Sequence, residues 1–268
     1  MVWGNGRLPR VCAGFGCVVF CPDTMATDEG RARHLRPLHT VSDDTDYWDN
    51  NLFYAGKKEA LGESMELSTT VDDVLARSEH FKGLYERIFQ LRSSELHFLL
   101  RRLPAAAKVM GVTLFGTSEG AMSISRFDDR PYGKLITSRV LNAYGGEFTY
   151  FTPTRAAADL GGQLDVPTLN IIGTRDEFFG PPATDGWEGS IASKIAADGS
   201  TGWGNAELSG NAYASYLRQG VRKGLVATFL EANHDATIDA DNAVRDVLLS
   251  FLAAPLRCTE CALAAPRA

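Results

Sequence analysis

The chain has 268 residues, of which 44% are hydrophobic and 22% charged, and its formal net charge at pH 7 is −6. This composition predicts one globular domain with a sizeable core, and an acidic chain without a basic stretch is not expected to bind nucleic acid. Its apolar runs fall short of the roughly 18–20 residues that span a bilayer, so we expect no membrane partner.

The first residues and the cysteines favour a cytoplasmic protein. Residues 1–7 lack the basic and then apolar regions of a signal peptide, and five cysteines, an odd number, suit reduced thiols better than a disulfide framework. Cys258 and Cys261 form a single C-x-x-C pair in a tail, which we interpret as structural or incidental thiols rather than a zinc-binding or redox-active pair. Nothing else in the sequence indicates a metal or a cofactor, and we expect neither.

In the first part of the chain we predict a strand, a long loop and a helix. Residues 16–23 form a short apolar run that ends in Pro-Asp, which is typical of a buried parallel strand followed by a loop. Residues 24–56 are polar and rich in aspartate, so we predict a long loop there. Between residues 71 and 103, leucine and isoleucine recur at helical spacing until Pro104 ends the pattern.

The rest of the chain alternates apolar strands with helical segments. Strands are predicted at residues 109–115, 135–142, 167–173 and 224–230, and helices at residues 121–125 and 244–252. This alternation predicts an α/β fold with a mostly parallel sheet flanked by helices. We place one domain at residues 1–256 and a loose C-terminal tail at residues 257–268.

The motif Gly-Thr-Ser-Glu-Gly occupies residues 116–120, between a predicted strand and a predicted helix. A G-x-S-x-G motif in this context is typical of a nucleophile elbow, a tight turn that exposes the serine. A serine hydroxyl needs a base, and the base needs an acid that orients it. Asp176 and His234 each follow a later predicted strand, and the carboxyl ends of parallel strands meet at one edge of a sheet. Ser118, Asp176 and His234 are therefore the candidate catalytic residues.

Three segments together resemble the α/β-hydrolase superfamily, and most of all its dienelactone-hydrolase-like branch. They are residues 116–120, 173–179 and 232–234. Residues 14–23 also look like a strand of that branch, so the likeness covers residues 10–253 or so.

The resemblance implies a role for each candidate. By this likeness Ser118 is the nucleophile, His234 the general base and Asp176 the acid that orients the histidine. The archetypal dienelactone hydrolases have a cysteine at the elbow, whereas this chain has Ser118. This departure favours a general ester hydrolase over the substrate of those enzymes.

Each of these residues has an alternative interpretation. Ser118 could be a small turn residue, and Glu177, which follows Asp176, is a second candidate for the acid. Either carboxylate could merely cap a helix, and His234 could be a surface residue. The remaining histidines precede Ser118, where the family order does not place the base; they are His34, His39, His80 and His97.

The tetrahedral oxyanion needs two aimed backbone donors, and the N–H of Glu119 is the first candidate. In the family, the second donor follows an earlier strand, but almost nothing precedes residue 16. We therefore expect an α/β-hydrolase fold whose N-terminal strands are missing or truncated. Gly4, with Trp3 beside it, is the candidate for the second donor if the chain supplies one.

The expected function is a cofactor-independent serine hydrolase that cleaves a small-molecule carboxylic ester, lactone or thioester through an acyl-enzyme. The alternatives are a catalytically weak or inactive binding module and an acyltransferase or peptidase with the same triad. Several aromatic side chains could line an acyl or alcohol pocket, although core packing explains most of them better. These are Tyr47, Trp48, Phe178, Phe179, Trp187 and Trp203. The sequence indicates neither the acyl and alcohol groups nor the oligomeric state.

Overall fold

A computed structural model describes residues 12–14, 16, 17, 19, 71–146, 152–198, 212–234, 236 and 240–254. The strands are β1 (Val112–Thr117), β2 (Ile136–Asn142), β3 (Thr168–Gly173) and β4 (Gly224–Phe229). Residues 12–14 are helical. The longer helices that follow are α1 (Val71–Ala76), α2 (Ser78–Arg102), α3 (Ala105–Met110), α4 (Glu119–Arg126), α5 (Arg155–Ala158), α6 (Ile191–Asp198), α7 (Ala212–Gln219) and α8 (Asp241–Ala253). A 3-10 helix, Arg130–Leu135, precedes β2.

The strands form one parallel sheet in the order β1-β2-β3-β4. Their carboxyl ends are in register, since Thr117 pairs with Asn142 and Gly173 pairs with Phe229. The loops that follow β1, β3 and β4 therefore open at the same edge of the sheet. The predicted α/β class with a parallel sheet is confirmed.

Helices cover both faces of the sheet. Leu141 of β2 belongs to a buried apolar cluster with residues of α2 and α4, among them Ile88 and Met122. Its neighbour Val140 belongs to a second buried cluster, which includes Leu248 of α8. Because helices cover both faces of the sheet, the side chains that a strand directs to either face are apolar. This explains the continuous apolar runs of the sequence.

The predicted strands agree with β2, β3 and β4 to within one residue at each end. The prediction that a strand begins at residue 109 is wrong, because Val109 and Met110 belong to α3 and are exposed. Alanines favour helix at the start of α3, and Gly111, with a φ of +83°, ends it in the left-handed region. The strand begins only at Val112.

The long predicted helix is confirmed as α1 and α2, which are separated at Arg77. Pro104 follows α2 as expected and stands at the start of α3. The predicted helices after the motif and near the C-terminus lie within α4 and α8. Within the described ranges, no helix has the length and apolar character to cross a membrane.

The predicted strand at residues 16–23 is wrong at the positions that the structure describes. Gly16 lies in a turn with a φ of +90°, and neither Cys17 nor Val19 is in a strand. The backbone N–H of Cys17 donates to the carbonyl of Cys12 at 3.0 Å, a bond that closes a helical turn. Gly16 adopts the left-handed conformation that such a turn requires, and this prevents an extended strand here.

Other predictions concern residues outside the described part of the chain. They are the rest of the residue 16–23 segment, the loop at residues 24–56, the tail at residues 257–268, Trp3, Gly4, His34, His39, Tyr47, Trp48, Trp203, Cys258 and Cys261. The domain boundaries at residues 1 and 256 likewise stay a prediction.

Candidate active site

Ser118 lies at the sharp turn between the end of β1 and the start of α4. Its backbone has φ 54° and ψ −122°, a conformation that residues with a Cβ rarely adopt. Two hydrogen bonds hold the turn: the N–H of Ser118 donates to the carbonyl of Asn142 at 2.9 Å, and the N–H of Met122 donates to the carbonyl of Ser118 at 3.0 Å. Ser118 is thus the single residue between the end of β1 and the start of α4.

The glycines of the motif bring the helix close to the strand. A Cβ at Gly116 would lie 2.4 Å from the carbonyl oxygen of Gly120 and 2.8 Å from the backbone nitrogen of Ala121. A Cβ atom essentially never lies this close to a non-bonded atom, so any side chain at residue 116 would push α4 away from β1. The position of Ser118 therefore depends on glycine at this place.

His234 connects the serine to an acid. Its Nε2 lies 2.9 Å from Oγ of Ser118, and its Nδ1 lies 2.9 Å from Oδ1 of Asp176. A carboxylate only accepts hydrogen bonds, so Nδ1 carries the proton that points to Asp176. In the neutral imidazole Nε2 then accepts the hydrogen bond of the serine hydroxyl, as a general base must.

Asp176 is fully buried and is held by its own loop. Besides the imidazole, Oδ1 accepts the backbone N–H groups of Phe178 and Phe179, each at 2.9 Å. The turn closes where the N–H of Gly180 donates to the carbonyl of Asp176 at 2.8 Å. Because the carboxylate accepts two fixed donors, it keeps one orientation and so fixes the orientation of the imidazole.

The two phenylalanines after Asp176 also pack around His234. The ring centroids of Phe178 and Phe179 lie 4.5 Å and 5.8 Å from that of the imidazole, and both phenylalanines are buried. The side chain of His234 is 13% exposed, so it can still meet a substrate. Trp187 is held differently: its indole N–H donates to the carbonyl of Pro181 at 3.2 Å.

Glu177, the rival acid, does not face the imidazole. Its Oε2 accepts the backbone N–H of His234 at 3.1 Å, so it anchors the histidine loop rather than the ring. Adjacent residues of a chain point in different directions, and here the turn directs Asp176 into the protein. The geometry favours Asp176 over Glu177 as the acid.

Further contacts join the loop of Asp176 to the loop of His234. The N–H of Arg175 donates to the carbonyl of Ala232, and the N–H of Glu231 donates to Oγ1 of Thr174, each at 2.9 Å. A Cβ at Gly173 would lie 2.1 Å from the carbonyl oxygen of Ala232, so glycine at the end of β3 lets the two loops touch. The acid and the base are therefore fixed to one another through their backbones.

The other histidines in the described part of the chain lie elsewhere. His80 is exposed on α2, and Nδ1 of His97 lies 2.7 Å from the hydroxyl of Tyr132. Burial, and then the positive charge of Arg101, lowers the pKa of His97. Neither histidine takes part in the contacts of Ser118 described above.

Glu119, the candidate oxyanion donor, is the first residue of α4. The first N–H groups of a helix have no partner within it, and the helix dipole makes this end positive. The N–H of Glu119 can therefore meet a negative oxygen beside Ser118. Its side chain points to α2, where Oε1 accepts Nε of Arg92 at 2.7 Å and also accepts Nη2 of the same guanidinium.

Sequence reasoning missed Arg92, which is 4% exposed. A signal for it was available, because Arg92 follows Leu84 and Ile88 at four-residue spacing on the stripe that α2 buries. A charged residue at a position where an apolar one is expected indicates a buried partner.

The chemistry available to this site is proton transfer and nucleophilic attack. Among the side chains that the structure describes, no group of three or more His, Cys, Asp or Glu could hold a metal ion. Comparisons with known protein families, with curated proteins and with solved structures find no match to this chain.

Proposed function

We propose that this chain is a serine hydrolase with an α/β-hydrolase fold, and that it cleaves a small-molecule carboxylic ester, lactone or thioester. One observation carries the proposal: two hydrogen bonds of 2.9 Å link Ser118, His234 and Asp176 in series. The serine also stands on a strained turn before a helix, as a nucleophile that must be exposed does.

The first step forms an acyl-enzyme. Oγ of Ser118 attacks the carbonyl carbon while its proton passes to Nε2 of His234, and the carbonyl electron pair moves to oxygen. The N–H of Glu119 donates to that oxyanion, and the charge of Asp176 stabilises the imidazolium. The bond to the leaving group then breaks, and the leaving alcohol or thiol takes the proton from Nε2.

The second step releases the acid. A water molecule gives its proton to Nε2 of His234 and attacks the acyl carbon, and a second oxyanion forms in the same place. Oγ of Ser118 leaves with the proton of the imidazolium. The carboxylic acid departs, and the three residues return to their starting state.

The order of the loops supports the α/β-hydrolase fold. The elbow follows β1, the acid follows β3 and the histidine follows β4, all at one edge of a parallel sheet. The serine at the elbow supports a general ester hydrolase of the dienelactone-hydrolase-like kind.

The test is labelling with a fluorophosphonate probe, together with hydrolysis of p-nitrophenyl butyrate. The wild-type chain is expected to take up one probe at Ser118 and to hydrolyse the ester. Ser118→Ala should lose the label and at least about 10³-fold in kcat, because the nucleophile is gone. The matched control is Ser94→Ala, which removes an exposed serine of α2 and should keep both activities.

Two results would count against the proposal. A Ser118→Ala protein that hydrolyses the ester as fast as wild type would remove Ser118 from the chemistry. A folded wild-type protein with neither label nor hydrolysis would favour the binding module instead.

A further inference from the structure

A buried ion pair fixes the residue that follows the nucleophile. Arg92 comes from the middle of α2, and its guanidinium contacts Oε1 of Glu119 through both Nε and Nη2. The side chains of Arg92 and Glu119 are 5% and 15% exposed. Solvent therefore screens the charge of this carboxylate poorly, and Arg92 neutralises it.

A second ion pair joins the same two helices at the other end of α4. There Nη2 of Arg126 contacts Oε2 of Glu86, with side chains 5% and 30% exposed. The two pairs together hold α4 antiparallel to α2. Since Arg126 lies in the last turn of α4, its pair supports the packing of the helices at the end away from Ser118.

The charge of Glu119 matters because of where its backbone is. Five covalent bonds join its backbone nitrogen to its carboxylate oxygens, so the charge lies within about 6 Å of the N–H that faces the oxyanion. Left unpaired, a negative charge at that range would oppose the negative charge that forms on the substrate oxygen. A free carboxylate could also accept the N–H groups of the first turn of α4 in place of the substrate.

We propose that Arg92 is a positioning residue of the reaction, which keeps the N–H of Glu119 available to the oxyanion by neutralising the Glu119 carboxylate and holding it against α2. This inference rests on the proposed hydrolase function. It explains why an arginine of α2 is buried against α4, and it gives the two ion pairs of α4 different roles.

The test compares four variants with wild type for kcat and KM on p-nitrophenyl butyrate. Arg92→Met should lower kcat by roughly ten- to a hundredfold and change KM by less than about threefold, because the oxyanion exists only in the transition state. Arg92→Met/Glu119→Gln should recover most of the lost kcat, since it removes the carboxylate that was left unpaired. Arg126→Met makes the same change at the other end of α4 and should keep kcat within about threefold of wild type.

Arg92→Gln covers the case in which the methionine variant does not fold. Glutamine is neutral but can still donate a hydrogen bond to Glu119, so kcat should fall as it does with methionine. An unchanged kcat in Arg92→Gln would overturn the proposal, and so would equal losses in Arg92→Met and Arg126→Met or a double variant no faster than Arg92→Met.

Fluorophosphonate labelling of the wild-type protein distinguishes a failure of the hydrolase function from a failure of the role given to Arg92. A labelled and active wild type with none of the expected differences among the variants overturns the role of Arg92 alone. A folded wild type that is neither labelled nor active overturns the hydrolase function and the role of Arg92 with it.

Discussion

Two aspartates in the described part of the chain are completely buried, and their surroundings differ in one respect. Asp129 contacts the guanidinium of Arg139 through Oδ2, while its Oδ1 accepts the backbone N–H of Gln163 at 2.9 Å. Both members of this ion pair lie in the interior, at 0% exposure. A permanent cation therefore neutralises Asp129, and removing that cation alone would leave a buried charge without compensation.

Asp176 contacts no permanent cation through its carboxylate among the described residues. Its Oδ1 accepts three donors, two backbone amides and the imidazole of His234, and no described donor reaches Oδ2. Neutral donors leave the carboxylate with its full negative charge. That charge gains its partner only when His234 becomes an imidazolium, which happens in the transition state of the proposed reaction. The charge of Asp129 is thus already neutralised in the folded protein, whereas the charge of Asp176 remains available to an imidazolium.

The largest expected effect follows from removing the charge of Asp176. In Asp176→Asn the amide oxygen should take the place of Oδ1, because two backbone N–H groups require an acceptor there. The imidazole then keeps its position but loses the charge that stabilises its protonated form. We expect kcat for p-nitrophenyl butyrate to fall on the order of 10²–10⁴-fold. A fall of less than tenfold in a folded variant would contradict the role given to this aspartate.

The next effect is on stability rather than rate. Arg139→Met leaves the carboxylate of Asp129 buried without its cation, which should lower the free energy of unfolding by about 3–5 kcal/mol. Urea unfolding monitored by circular dichroism measures the change. Arg139→Met/Asp129→Asn should regain part of it, because the uncompensated charge is then absent.

Arg139→Met also tests whether the two buried aspartates have different roles. The kcat per folded molecule of Arg139→Met should stay near that of wild type. Suppose instead that this kcat fell as far as that of Asp176→Asn while the protein remained folded. The conclusion that Asp176 takes part in the proposed reaction and Asp129 does not would then be wrong.

The smallest effect is expected at Glu177. Its carboxylate accepts a backbone N–H of the histidine loop, and the glutamine oxygen of Glu177→Gln can accept the same bond. We expect kcat to change by less than about fivefold, since only the charge-assisted part of one hydrogen bond is lost. A loss as large as that of Asp176→Asn would make Glu177 the acid and reverse the assignment.

Much of the fold was predictable because local patterns carry it. Short apolar runs bounded by glycine and proline predicted β2, β3 and β4, and helical spacing predicted α2. The start of β1 was not predictable in this way, because Val109 and Met110 are apolar but exposed on a short helix. An apolar pair does not reveal on its own whether it packs in a sheet or faces solvent.

The candidate site, too, was predictable only in part. The order of Ser118, Asp176 and His234 along the chain, each after an apolar strand, was legible from the sequence. The resemblance to the family favoured Asp176 over Glu177, but the contacts that distinguish them depend on how one turn directs two adjacent side chains. Arg92 was missed because its partner is 27 residues away in the chain and meets it only through the packing of α2 on α4.

By itself, then, the sequence determined the α/β class, the parallel strands and the turn between strand and helix at Ser118, because periodicity, glycine and proline act over a few neighbouring residues. The tertiary structure alone decided that His234 reaches both Ser118 and Asp176 at 2.9 Å. It also decided that, among the residues described, Asp129 contacts a permanent cation whereas Asp176 does not. Those contacts depend on the register of the sheet and on the packing of helices from distant parts of the chain. Patterns among neighbouring residues indicate neither the register nor the packing.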